Sequence, residues 1–158
     1  MNKNIFKIYI LPALAIAFFG FILLNITFVL DAAFQSTIFR YVILPFIPIE
    51  LISKNGPSFP INHVIFAIFI LLISWPILRS RWKDIYKAIY MVVPTAVVLV
   101  TFGIMFWQTP VWTYILGGFS VLGTLYYFYQ KKLPWIYWYA VILISLMLVI
   151  GGIFGMEI

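Results

Sequence analysis

Residues 8–30 read IYILPALAIAFFGFILLNITFVL, twenty-three positions without one Asp, Glu, Lys or Arg. A helix rises 1.5 Å per residue, so about 20 apolar residues cross a hydrocarbon layer roughly 30 Å thick. This run is long enough. Lys3 and Lys7 precede it, which gives the N-terminus the look of a secretory signal. A signal core is only about 7–15 residues long. The run is therefore read as a retained anchor and first span.

Four further runs meet the same test: residues 61–78, which is short, 88–107, 111–129 and 134–154. None has an Asp, Glu, Lys or Arg in its middle. In hydrocarbon the backbone must satisfy its own hydrogen bonds, so such runs are helices. A barrel needs short segments of alternating polarity, and none is seen. The sequence thus predicts an all-α integral membrane protein, a single domain over residues 1–158 folded as a bundle of five transmembrane helices. No internal repeat is visible, and five helices do not divide into two equal halves.

Composition points the same way. The chain has 158 residues, 65% hydrophobic and 9% charged. Its mean hydropathy is +1.13. A soluble domain carries about 25% charged residues, so fourteen charges are too few to cover a water-facing surface. Disorder needs the opposite composition. The net charge of +6 would suggest nucleic acid in a soluble protein. Here the basic residues stand between apolar runs and read as topology, so no nucleic-acid partner is expected. Cysteine is absent, which excludes disulfides, thiolate-ligated metals and cysteine nucleophiles.

Orientation follows from those basic residues. Lys3 and Lys7 precede the first run, Arg79, Arg81, Lys83 and Lys87 follow the second, and Lys131 and Lys132 follow the fourth. With the N-terminus in the cytoplasm all eight lie inside, and only Arg40 and Lys54 lie outside. The C-terminus is then outside, and the chain is expected in the plasma or cytoplasmic membrane. Aromatic residues mark the same boundaries. Trp75, Trp82, Tyr86, Trp135 and Trp138 gather at the inner ends, and Trp107, Trp112 and Tyr114 at the outer end. Such rings favour the interface, where one edge is apolar and the other wet. Gln108–Thr109–Pro110 and Lys131–Lys132–Leu133–Pro134 are short enough to force antiparallel hairpins.

Residues 31–60 depart from this scheme. The segment is outside and long, yet residues 38–52 are mostly apolar. Asp31 is suited to cap a helix over residues 32–44, which Pro45 and Pro48 would end. The segment is expected to lie at the outer interface or to re-enter the bundle.

Chemistry-bearing residues are few. His63 is the only histidine, so multi-histidine metal sites are excluded, and no metal or cofactor is expected. His63 with Asp31 or Glu50 forms the one candidate catalytic set, with Ser36, Ser53 or Ser58 as the hydroxyl to be activated. No known spacing supports it, and the plain alternative is a set of polar residues at a wet helix boundary. Arg79, Arg81, Lys83, Lys87, Lys131 and Lys132 form a candidate site for anionic lipid headgroups. The plain alternative is the ordinary topology signal. Thr, Ser and Asn within the spans are expected to bond between helices or to their own backbone. Pro12, Pro76 and Pro94 are candidate kinks, and Gly117, Gly118, Gly123, Gly151, Gly152 and Gly155 are candidate sites of close helix approach.

Size, helix number and aromatic richness are similar to those of the tryptophan-rich translocator family. That family's Trp- and Pro-rich motifs are absent, and no residue is carried over from it. Three functions remain. The first is a non-enzymatic subunit or accessory of a membrane assembly, in contact with lipids and with other membrane subunits or with further copies of itself. The second is a binder or transporter of a hydrophobic or aromatic small molecule or lipid. The third is an outer-face hydrolase or transferase that uses His63. Whether the chain is an enzyme is open at this point, with the balance against it.

Overall fold

A computed structural model describes residues 6–46 and 61–153. These residues are almost wholly helical. Helix α1 (Leu11–Ala33) is extended at both ends by wider π-helical turns, Phe6–Ile10 and Phe34–Ile43. It is followed by α2 (Ile61–Arg79), α3 (Asp84–Met105), α4 (Pro110–Lys131) and α5 (Trp135–Ile153). Five of these helical stretches are long and apolar enough to cross a membrane.

The first rod differs from expectation. It does not stop near residue 30 with Asp31 capping a second helix. It runs unbroken from Phe6 to Val42, 37 residues, or about 55 Å at the helical rise. Asp31 lies inside it. The backbone N–H of Phe34, in helical geometry (φ −61°, ψ −47°), reaches the carbonyls of both Leu30 and Asp31. Gln35 donates to the Asp31 carboxylate one turn on, at 3.0 Å. That i, i+4 bond gives the carboxylate a helical partner and removes its reason to act as a cap. The rod ends in a 3₁₀ turn at Leu44–Phe46. Pro45 stands in that turn, and its ring and missing N–H forbid continuation. Residues 38–43 are thus a continuation of α1. Residues 47–52, on which the interfacial or re-entrant reading also rests, lie outside the described residues.

The other helices keep close to the apolar runs, with one informative shift. Helix α3 starts at Asp84 rather than at residue 88. Hydropathy stops at the charges of Asp84 and Lys87, but an acidic residue in a first turn faces the positive end of the helix dipole and is a favourable start. Pro12 stands where the π-helical turn Phe6–Ile10 passes into α1. Pro76 and Pro94 are internal to α2 and α3. The α4–α5 corner closes through Lys132 in the left-handed region (φ 51°). Its N–H reaches Tyr129 O and the N–H of Leu133 reaches Phe128 O, which satisfies the last carbonyls of α4 in a Schellman pattern.

Helix α3 is the centre of the bundle and touches each of the other four. Its sequence explains why. Ala88, Val92 and Ala96, four residues apart, form one buried stripe against α5 and α1, where they meet Ala140, Val141, Ile144, Ile16 and Leu24. Val93 and Val97 form a second stripe packed with Phe66, Ala67 and Ile70 of α2 and with Phe34. Small and β-branched side chains let helix axes approach closely. The α1–α3 crossing is tightest at Gly20, where an added Cβ would stand 3.0 Å from Val92 Cγ2. Helix α4 is the opposite case: only Gly117 and Phe128 on it are buried.

Polar side chains within the helices mostly bond to their own backbone. Thr27, Ser74, Thr95, Thr101, Thr124 and Ser145 each donate to the carbonyl four residues earlier, at 2.7–2.9 Å. Ser74 also meets Tyr90 of α3 at 3.1 Å.

Candidate functional site

The antiparallel order brings two sets of polar residues to opposite ends of the bundle. One end collects the C-terminal half of the first rod and the start of α2. The other collects the end of α2, the start of α3 and the α4–α5 corner.

At the first end, Asp31 and His63 meet. His63 Nδ1 is 3.3 Å from Asp31 Oδ2. Gln35 Nε2 donates to the same carboxylate oxygen at 3.0 Å and lies 3.2 Å from His63 Nδ1. Asn62 Nδ2 donates to Gln35 Oε1 at 2.9 Å. Two residues from each helix thus form one connected network. The tautomer of His63 decides whether its ring donates to Asp31 or accepts from Gln35. The Asp31 and His63 side chains are 17% and 23% exposed, so the network is sheltered but not sealed. Asp31 Oδ1 is buried and has no hydrogen-bond partner among the described residues.

The sequence candidates fare differently. Asp31 and His63 come together. Ser36 does not join them: its hydroxyl donates to Ala33 O at 3.2 Å. Glu50, Ser53 and Ser58 lie outside the described residues. A carboxylate that orients an imidazole is two-thirds of a nucleophile-activating set. The two hydroxyl residues that line a cleft with the pair, Thr27 and Thr101, are both bonded to backbone carbonyls. Gln35 and Asn62 are members of the network that the sequence alone does not single out. A signal for them exists: Gln35 stands one helical turn after Asp31, and Asn62 adjoins His63.

At the other end, Tyr137 donates from its hydroxyl to Asp84 Oδ1 at 3.0 Å, which ties α5 to the first turn of α3. Tyr9 packs against Trp135 with ring centroids 5.4 Å apart. The Arg79 guanidinium stacks over Trp75 at 4.3 Å, a cation–π distance. Arg79, Arg81 and Lys83 are exposed around the α2–α3 corner, and Lys131 and Lys132 around the α4–α5 corner. Lys87 is half-buried one turn into α3.

Two clefts among the described residues are each about 20 Å³. One lies between α1, α3 and α5 beside Gly20 and Val92. The other lies below Asp31 and His63.

No family model matches the chain, and no curated protein or solved structure matches it.

Proposed function

We propose that the protein is a five-span integral membrane protein, N-terminus in the cytoplasm and C-terminus outside, that serves as a non-enzymatic subunit of a membrane assembly. The observation that carries the subunit reading is a mismatch in α4. It is the least apolar of the five long helices and also the least buried: 11% of its apolar stretch is inside, against 22–39% in the others. Lipid alone would favour the reverse, with the most polar helix innermost. An added Cβ at Gly118 or Gly123 would meet nothing within 4 Å, so a second helix can come close at either position.

The partner is a transmembrane helix of another protein. Two copies of α4 packed side by side would set Lys131 and Lys132 against their own duplicates. A foreign helix with acidic residues at that end would be attracted instead. Native mass spectrometry of gently extracted protein tests this. The expected result is a complex with a second polypeptide that is lost in Gly118→Trp and weakened in the Lys131→Glu, Lys132→Glu double variant. A bare monomer, or a complex of twice the chain mass, would refute it.

The hydrolase or transferase reading draws support from the 3.3 Å approach of His63 to Asp31. It predicts that His63→Ala abolishes cellular function, and unchanged function would dispose of it. A binder of drug-sized apolar ligands calls for a pocket of roughly 300 Å³ or more, far above either of these two clefts.

A further inference from the structure

We infer that the cleft beneath Asp31 and His63 is a binding site for one small monovalent cation, with the Asp31 carboxylate as its charged ligand. This stands apart from the subunit reading and rests on different residues.

The first observation is an asymmetry in the carboxylate. Oδ2 takes the amide of Gln35 at 3.0 Å and stands 3.3 Å from His63 Nδ1. Oδ1 is removed from solvent and has no partner among the described residues. A buried carboxylate oxygen without a donor is costly, and proteins rarely leave one so. Something of positive charge or with a donor belongs beside it.

The second observation is the character of the cleft. It lies between α1, α2 and α3 and is lined by Thr27, Asp31, His63 and Thr101 among apolar residues that include Phe66 and Val97. Thr27 and Thr101 have committed their hydroxyl hydrogens to Leu23 O and Val97 O, at 2.8 and 2.7 Å. Whatever oxygen surface they give the cleft therefore accepts and does not donate. The carboxylate and two threonine oxygens are acceptors, and His63, the remaining polar residue of the lining, is held against the other carboxylate oxygen at 3.3 Å. Hard oxygen donors suit hard cations. No Lys or Arg lines the cleft, so the lining supplies no permanent positive charge of its own.

The third observation is size. About 20 Å³ is a little more than one water-sized probe sphere requires. It has room for a bare monovalent ion or a single water. Between those two, the carboxylate decides. A water offers donors but leaves the charge in place, whereas a cation neutralises it in a region of low dielectric, where that matters most.

The test uses purified full-length protein in detergent. Thermal unfolding is followed by the fluorescence of its six tryptophans, in NaCl, KCl or LiCl against N-methylglucamine chloride at constant ionic strength. The expected result is a saturable rise of the midpoint with at least one small cation, abolished in Asp31→Asn. That variant keeps an oxygen to accept from Gln35 while removing the charge. Thr101→Val keeps the shape and the carboxylate and is expected to weaken the apparent affinity, so the proposal stays testable if Asp31→Asn does not fold. Equal midpoints in every salt, or the same cation response in Asp31→Asn, would overturn the proposal and leave the cleft to water.

Discussion

The described chain holds two aspartates, and their surroundings are opposite. Asp84 is exposed in the first turn of α3, where the helix dipole and the Tyr137 hydroxyl both favour its charge. Asp31 lies deep in a continuous 37-residue rod. There it has no helix end to face, is only 17% exposed, and leaves one oxygen unpartnered among the described residues. The first arrangement is a fastening: it joins two helices at a wet boundary and exists for the fold. The second has more polar machinery than the fold requires, since α1 and α2 already meet through Phe34, Phe66, Ala67 and Ile70. An apolar pair at residues 31 and 63 would pack with less cost, because breaking or burying such groups is expensive when any member goes unsatisfied. The difference teaches where to look for function, at the end with His63.

Substitutions can break that contrast. The largest loss of stability is expected from Gln35→Ala. Gln35 is the hub that touches Asp31, His63 and Asn62. Its removal leaves sheltered groups on both helices without partners, at about 2–3 kcal/mol, measurable as reduced resistance to unfolding in mixed detergent micelles. His63→Ala removes one neighbour each from Asp31 and Gln35 and is expected to cost about 1–2 kcal/mol. A smaller effect from His63→Ala than from Tyr137→Phe would reverse the ranking of the two ends. Tyr137→Phe deletes a single hydrogen bond to an exposed carboxylate that water can replace, with an expected cost of about 1 kcal/mol or less. Arg79→Ala gives up stacking on Trp75, both side chains being exposed, and should cost only about 0.5 kcal/mol.

The long apolar helices were legible because the requirement behind them is simple: runs of about 20 residues without charge. Their ends were less legible. Asp84 is excluded by a hydropathy count yet favoured by helix electrostatics, so α3 begins a turn earlier than its apolar run. Asp31 misleads in the other direction. Its composition says cap, but a partner at i+4 keeps it in the helix interior. That one residue accounts for the misplaced end of the first helix. It also accounts for the oversight of Gln35, since a helix restarting at Asp31 assigns Gln35 to a surface. The pairing of His63 with Asp31 was readable because both are the rare titratable groups near one end of neighbouring helices. Thr27 and Thr101 were readable only as back-bonded helix residues. That they line one cleft depends on how α1 and α3 cross at Gly20 and Val92, which no local pattern encodes.

All of these readings assume that the apolar helices cross a bilayer with the basic corners kept on the cytoplasmic side. The chain has no native cysteine, so single cysteines report topology without background. Ser80→Cys places a thiol in the basic α2–α3 corner, and Gln108→Cys places one in the α3–α4 corner at the opposite end. In intact cells a membrane-impermeant maleimide is expected to label Gln108→Cys at once and Ser80→Cys only after permeabilisation. Labelling of both positions from the same side, or in the reverse order, would contradict the account.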